Sequence, residues 1–410
     1  MSILSDSKLI INSALQASLP DTAVQKALTK LPSISGRLIL VAVGKAAWQM
    51  AKAAYDVLQD RIDAGIVITK YDHAQGPIGN LQIREAGHPV PDASSYSSTQ
   101  EAIDLISSLS KDDLVLFLLS GGGSALFEKP LIPESEMDDV TRQLLACGAD
   151  IVEMNTLRKR LSAVKGGRFA ALCSPAHVFS VVLSDIIGDP LDMIASGPAY
   201  PDQSTAAQAL EIVAKYNLRL SEQALSLLEK ETPKHLDHVE THITGSVRQL
   251  CTAAAQTCTT LGYKPIILTA NLNCEARDAG SFLASIAAYH ADSKESLAFI
   301  AGGETVVHLT GTGLGGRNQE IALAAAKGIA NLPNTLLFSL GSDGTDGPTD
   351  AAGGIVTGDT AAALRTQGLD IDAVLRNNDA YHALAAVDAL LMTGPTGTNV
   401  NDLTCLLIKR

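Results

Sequence analysis

The chain has 410 residues, of which 46 % are hydrophobic, 18 % charged and 4 % aromatic, and its formal net charge is −13. That length exceeds the usual limit of one hydrophobic core, so two domains are expected. The acidic balance excludes general nucleic-acid binding, which relies on a basic surface. The cysteines at 147, 173, 251, 258, 274 and 405 form no C-x-x-C pair. This argues against a zinc site or a disulfide framework and for reduced thiols in the cytoplasm. No signal peptide opens the sequence and no apolar run matches a bilayer, so a soluble cytoplasmic protein without a membrane partner is expected.

Residues 1–31 show helical spacing interrupted at Pro20, and 37–43 form a short β run that ends in Gly44 and Lys45. Apolar residues then recur with helical spacing from Ala47 to Leu58. Lys45 is thus expected at the carboxyl end of a parallel strand, where open α/β sheets bind ligands; a solvated turn lysine is the plainer alternative. A strand at 64–69 follows. Residues 83–92 read as loop, because Pro89 and Pro91 prevent regular pairing; His88 and Asp92 within it either face a ligand or form a rigid connector. A helix near 94–109 leads to 113–119, a continuous apolar run typical of a strand buried on both faces. That strand discharges into Ser120, Gly121, Gly122, Gly123 and Ser124. Glycines permit close backbone approach and the serines add donors, which favours an oxyanion cradle over a flexible turn.

The segment from Asn155 to Arg168 carries Arg158, Lys159, Arg160 and Lys165 and no acidic residue. A solvated helix face is the ordinary reading of such a run, but the excess of one sign in an acidic chain favours an anionic ligand. After a strand at 177–183, Asp185 stands where an active-site carboxylate belongs, whereas Asp189 and Asp192 read as turn caps. Helices fill 204–230, and the polar stretch 230–242 reads as a domain boundary with surface histidines. Helices at 246–261 and 274–289 alternate with strands at 265–268 and 297–301. A β-rich run at 305–310 then leads through Gly311, Gly313, Gly315 and Gly316 to Arg317 and an alanine-rich helix. Such a loop exposes backbone N–H groups at the positive end of a helix, and Arg317 adds a fork for two phosphate or carboxylate oxygens. A strand at 336–340 runs into Asp343, Asp346 and Asp350, hard ligands that suit Mg²⁺, and a hydroxyl-rich loop at 393–402 closes the sequence.

Two cations (Lys45, Arg317), two glycine cradles and three carboxylates (Asp185, Asp343, Asp346) are what phosphoryl transfer requires. No Walker loop and no protein-kinase signature set occurs, so the residues point to a small-molecule phosphotransferase of neither type. The rival class is a dehydrogenase, since Gly311-x-Gly313-x-x-Gly316 formally fits a dinucleotide pattern. Against it, Asp343 lies farther on than a ribose ligand should, and Arg317 suits a terminal phosphate better than a pyrophosphate. A non-catalytic binding module would leave so many charged strand-end loops without a use.

The runs VAVGKAAWQMAKAA, AGHPVPD, LLSGGGSALF, NTLRKRLSAVKGGR, LSDIIGDPLDMIASGP, GGRNQEIALA, SLGSDGTDGPTDAAGG and GPTGTNVNDL resemble, in order, those of the glycerate 2-kinases with a C-terminal MOFRL domain. The resemblance implies ATP- and Mg²⁺-dependent phosphorylation of D-glycerate to 2-phosphoglycerate. It also implies two α/β domains, each a mainly parallel or mixed sheet flanked by helices, with the active site in the interdomain cleft. The N-terminal, Rossmann-like domain is expected at 1–240 and the MOFRL-type domain at 241–410. The family's lysine falls on Lys45 and its arginine on Arg317, which together would serve the glycerate carboxylate and the transferring phosphoryl group. Ser120, Gly121, Gly122, Gly123 and Ser124, with Asn155, Arg160, Lys165, Gly315 and Gly316, would hold substrate and nucleotide. Asp185 would accept the hydroxyl proton, and Asp343 or Asp346 would face Mg²⁺. Relatives often carry a hydroxypyruvate reductase label, so an NAD(P)H-dependent reductase is the alternative. The oligomeric state is left open, a homodimer being one option.

Overall fold

Six strands in the first half of the chain build one sheet: β1 (Leu38–Val43), β2 (Ala64–Lys70), β3 (Gln82–Ala86), β4 (Leu114–Leu119), β5 (His177–Leu183) and β6 (Val239–Gly245). The computed structural model describes residues 2–184, 188 and 190–410. It divides into two units, one of Ala23–Ser184 with residues 190–244, the other of the chain up to Thr22 with Gly245–Arg410.

In the first unit the strand order is β3-β2-β1-β4-β5-β6, and β1 to β5 pair in parallel. Every residue of β1 and β4 is buried, which is why these runs show no polar alternation. The chain winds from β1 outward to β3, then returns to place β4 on the other side of β1. Pairing runs from Leu38↔Leu114 to Val43↔Leu119, so the two strands end level. Strand order reverses between them, and there an open parallel sheet leaves a crevice at its carboxyl edge. Residues 83–92 are not wholly loop: Gln82–Ala86 pairs with β2 at the edge of the sheet. The two prolines lie beyond the paired residues, so they do not interrupt the ladder. A small helical layer packs beside the sheet around Val140, Leu144, Leu157, Leu161 and Leu228. The stretch 230–242 is likewise not all connector, since His242 lies within β6.

The second unit holds β7 (Lys264–Leu272), β8 (Leu297–Gly303), β9 (Thr335–Gly341), β10 (Gly353–Thr357), β11 (Leu390–Leu391) and β12 (Asp402–Ile408) in the order β11-β10-β9-β12-β8-β7. β7 and β8 are parallel, whereas β12 runs antiparallel between β8 and β9. The sheet is therefore mixed, and its central strand lies beyond the loop at 393–402 that seemed to end the pattern. Asp402 pairs with Gly303 on one side and Gly341 on the other. This antiparallel insertion brings the start of β12 level with the carboxyl ends of β8 and β9. Helices Ala276–Tyr289 and Arg317–Gly328 pack over this sheet around Leu283, Ile321, Leu337 and Leu406. Helix Ile3–Ala17 belongs to the same unit, where buried Asp6 accepts from Tyr263 Oη at 2.7 Å and Lys409 Nζ at 2.6 Å. The run 305–310 forms no strand. Val306 makes a single bridge with Glu275, and Leu309 is exposed.

Candidate active site

In the first unit Lys45 leaves β1 and the Ser120–Ser124 loop leaves β4, so the reversal of strand order sets them side by side. Their backbones are joined: Lys45 N–H donates to Gly121 O at 2.9 Å and Ala46 N–H to Ser120 Oγ at 3.1 Å. Gly122 has φ +86, a conformation L side chains rarely adopt, and a methyl there would lie 3.0 Å from Lys45 Cγ and 3.1 Å from His88 Cδ2. No described residue pairs with the half-buried Lys45 ammonium. Nor does any described residue accept from the N–H groups of Gly121, Gly122, Gly123 and Ser124. A lone cation beside successive free amides forms a concavity for an anion. Burial first, then the charges of Lys45, Lys70 and His73, lower the pKa of His88 below its ordinary 6.5.

Behind this loop the basic segment meets acids distant in sequence. Lys165 is fully buried, donates to Ser124 O at 2.8 Å and Phe127 O at 3.1 Å, and pairs with buried Glu128 at 3.3 Å. Burial pulls its pKa down to about 8, against the opposing charge of Glu128. Arg160 is equally buried, between Asp202 at 3.6 Å and Glu231 at 3.2 Å. Both side chains are thus paired with acids of the scaffold and lie away from a solvated face. Asn155 Oδ1 accepts from Ser196 Oγ at 3.0 Å, and Ser196 Oγ stands 3.3 Å from Ser124 Oγ. Ser196 lies in a left-handed turn, with φ +51, +60 and +67 at Ala195, Ser196 and Gly197. Gly166 and Gly167 lock that turn by donating to Ser196 O and Gly197 O. Local strain of this kind persists only where its surroundings enforce it.

In the second unit Arg317 opens helix Arg317–Gly328 and is already matched. Its Nε and Nη2 grip Asp402 at 2.5 and 3.1 Å, and Nη1 reaches Glu304 at 3.0 Å. Burial would lower the guanidinium pKa, but Asp402 and Glu304 outweigh it and hold the group charged. Burial raises the Asp402 carboxyl, and Arg317 partly offsets this.

The glycine loop before the helix is not an open cradle. Asn378 Oδ1 accepts from Thr310 and Gly311 N–H at 2.7 and 2.9 Å, Asn377 O from Gly313, and Asp379 Oδ1 from Leu314. At the helix start, Asp346 accepts from Asn318 N–H at 3.2 Å and Gln319 N–H at 2.8 Å. A side chain at 316 would collide with that carboxylate, which accounts for Gly316. The amides of Gly315, Gly316 and Arg317 have no acceptor among the described residues. Asp343 Oδ1 caps Thr345 N–H at 2.9 Å. Glu304, Thr305, Val306, Leu309, Gly315, Gly316, Arg317 and Pro348 line a pocket of about 650 Å³.

The structure thus groups Lys45, Ser120–Ser124 and Asn155 in one unit and Arg317, Gly315, Gly316, Asp343 and Asp346 in the other. Asp185 lies outside the described residues. Sequence reasoning missed Ser196, Glu304 and Asp402. Gly303-Glu304 at a strand end was a signal for the second of these; Asp402 required knowing that β12 inserts between β8 and β9.

The family model described as a domain of unknown function, DUF4147, matches residues 6–229, and the MOFRL model matches 297–402. Such a chain pairs a Rossmann-like sheet bearing a lysine–glycine crevice with a mixed sheet bearing an arginine-capped loop. The D-glycerate 2-kinase of Thermotoga maritima is 52 % identical over 97 % of both chains, and a Pyrococcus horikoshii glycerate 2-kinase is 38 % identical over 92 % of this chain and 88 % of its own. A crystal structure of glycerate kinase from Thermotoga maritima superposes with a TM-score of 0.94 at 51 % identity, covering 98 % of this chain and 99 % of that one. Other relatives carry a hydroxypyruvate reductase label. The chain belongs to the glycerate 2-kinase family with a C-terminal MOFRL domain.

Proposed function

We propose that the chain is a glycerate 2-kinase that transfers the terminal phosphoryl group of ATP to the 2-hydroxyl of D-glycerate, assisted by Mg²⁺. The observation that carries this reading is the Lys45 ammonium, without a partner among the described residues, beside the amides of Gly121 to Ser124, from which no described residue accepts. A half-buried cation beside unused backbone amides is suited to an anionic ligand. The 52 % identity to a D-glycerate 2-kinase over nearly the whole length supports the substrate.

In this reading Lys45 binds the glycerate carboxylate, and the Ser120–Ser124 amides neutralise charge on phosphoryl oxygens. Asn155 and Ser196 fix the Ser124 hydroxyl, while Lys165 holds the loop from beneath and Arg160 braces the helix that carries Asn155. Arg317, oriented by Asp402, keeps N–H bonds that a phosphoryl oxygen could accept, with the Gly315 and Gly316 amides beside it.

Mg²⁺ would supply charge neutralisation across the nucleotide phosphates. Both oxygens of Asp346 already accept helix amides, so that residue fits a capping role rather than a ligand's. Asp343 keeps one oxygen clear of Thr345 and fits a site that takes one carboxylate plus phosphates and water. Among the described residues no cluster of three or more metal-ligating side chains occurs, and none is required on this reading. The reductase alternative is disfavoured by the glycine loop: Asn377, Asn378 and Asp379 take the amides from Thr310 to Leu314, so only those of Gly315 to Arg317 are left for a dinucleotide pyrophosphate.

The test is ADP release from D-glycerate, ATP and Mg²⁺, with the phosphoglycerate isomer identified by NMR and NADH absorbance followed with hydroxypyruvate in parallel. ADP with 2-phosphoglycerate and a flat NADH trace is expected. NADH oxidation without ADP would overturn the kinase reading.

A further inference from the structure

We propose that His88 is the catalytic proton acceptor for the hydroxyl beside the carboxylate that Lys45 binds, and that this pairing selects the 2-hydroxyl over the 3-hydroxyl. The inference deepens the kinase reading above and rests on it. Lys45 and His88 flank the same glycine: a methyl on Gly122 would meet Lys45 Cγ at 3.0 Å and the His88 ring at Cδ2, 3.1 Å, and Nε2, 3.3 Å. The ring is half-buried, and neither nitrogen has a hydrogen-bond partner among the described residues. A histidine that serves structure usually spends a ring nitrogen on a neighbour, as His238 does on Ala170 O and His73 on Lys45 O. His88 spends neither on a described residue.

Among the described residues, the groups facing it are Lys45, Lys70 and His73, with Asp92 against the preceding Gly87. Asp92 is committed to capping helix Ala93–Ile106 and to Tyr71 Oη. A neutral imidazole is thus favoured near neutral pH, the form a base requires.

A 2-hydroxy acid carries its hydroxyl on the carbon next to the carboxylate. A base adjacent to the carboxylate's cation therefore meets the 2-hydroxyl, while the 3-hydroxyl stands one carbon farther away. In the step, His88 Nε2 takes the hydroxyl proton while the hydroxyl oxygen bonds to the terminal phosphorus. The bond from that phosphorus to the bridging oxygen of the nucleotide breaks, and ADP leaves with those electrons. The imidazolium returns its proton to solvent after product release.

The experiment compares wild type, His88→Gln, His88→Asn and Asp185→Asn as full chains, with melting curves to confirm folding, across roughly pH 5 to 8.5. Wild-type kcat should fall on the acid side with a pKa below the ordinary histidine value. Both His88 variants should lose about 10²–10³ in kcat and the acid limb itself, while KM for glycerate stays within about three-fold. Imidazole should restore part of the activity of His88→Gly, and residual turnover of the variants should contain more of the 3-phospho isomer by ³¹P NMR. Variants that keep kcat within a few-fold and retain the acid limb overturn the proposal, as does a limb that vanishes in Asp185→Asn instead. If wild type releases no ADP, the kinase reading fails first and the proposal with it.

Discussion

Asp346 accepts the N–H of Gln319 at 2.8 Å, so a carboxylate of this chain occupies the helix terminus that a glycine-rich loop would ordinarily offer to a phosphate. Burial, with the nearby charge of Asp402, raises its pKa to about 7 even though the amides of Gln319 and Asn318 favour the ionised form. The folded protein then keeps this proton up to about pH 7, whereas the unfolded chain releases it near 3.8. Stability from Asp346 is full below 3.8 and is lost as pH rises through 7. Denaturant titrations at about pH 5 and pH 8 should therefore show wild type losing a few kcal/mol. Asp346→Asn should flatten that difference; an unchanged slope would assign it to other groups.

Lys45 and Arg317 should separate by stability, although both removals should lower activity. The Lys45 ammonium has no partner among the described residues, so Lys45→Met should lower kcat/KM by at least about 10³. It should change unfolding free energy by less than about 1 kcal/mol. Arg317→Ala strands the buried carboxylate of Asp402 and should cost about 3 kcal/mol as well as activity. Equal stability losses in the two variants would contradict the pairing.

Removing one member of the Lys165–Glu128 pair leaves the other charge buried beneath the Ser124 loop, since both are about 1 % exposed or less. Lys165→Met or Glu128→Leu alone should destabilise by about 3–5 kcal/mol, and the double variant should recover most of that loss. Additive losses in the double-mutant cycle would mean that the two side chains act independently.

Asn378 holds the glycine loop through Thr310 and Gly311 while adopting φ +54. Asn378→Gly keeps the backbone conformation and deletes only the side-chain bonds. It should cost about 1–3 kcal/mol and speed amide hydrogen exchange at 310 and 311. Exchange unchanged at those two positions would show that the loop is held by other means.

Much of the architecture was legible because apolar runs such as 38–43 and 114–119 must be buried on both faces to exist in water. Lys45 was legible for a related reason: the residue just past a buried parallel strand lies at the ligand edge. The edge strand Gln82–Ala86 escaped because half-exposed strands need no apolar run, and two later prolines suggested disorder of pairing. The apolar segment 402–408 escaped because its neighbours β8 and β9 lie far back in sequence. Partners were least legible of all. Nothing in the basic segment names Glu128 or Asp202, and nothing in the glycine loop names Asn377 to Asp379, because sequence displays chemical types while the fold decides who meets whom.

Helix Ile3–Ala17 packs with Val247–Thr260, so the whole of Ala23–Thr244 is looped out between two pieces that belong together. Vectorial synthesis must then complete the inserted sheet before the second one can close over its own beginning. Expressing Gly245–Arg410 alone would strip Asp6 from Tyr263 and Lys409 and bare the surface that Ile10, Ile11 and Ala14 cover. A gene cut at the boundary between the two family matches would thus yield an aggregating fragment, whereas a nick inside the inserted segment would leave both ends of the second unit in place.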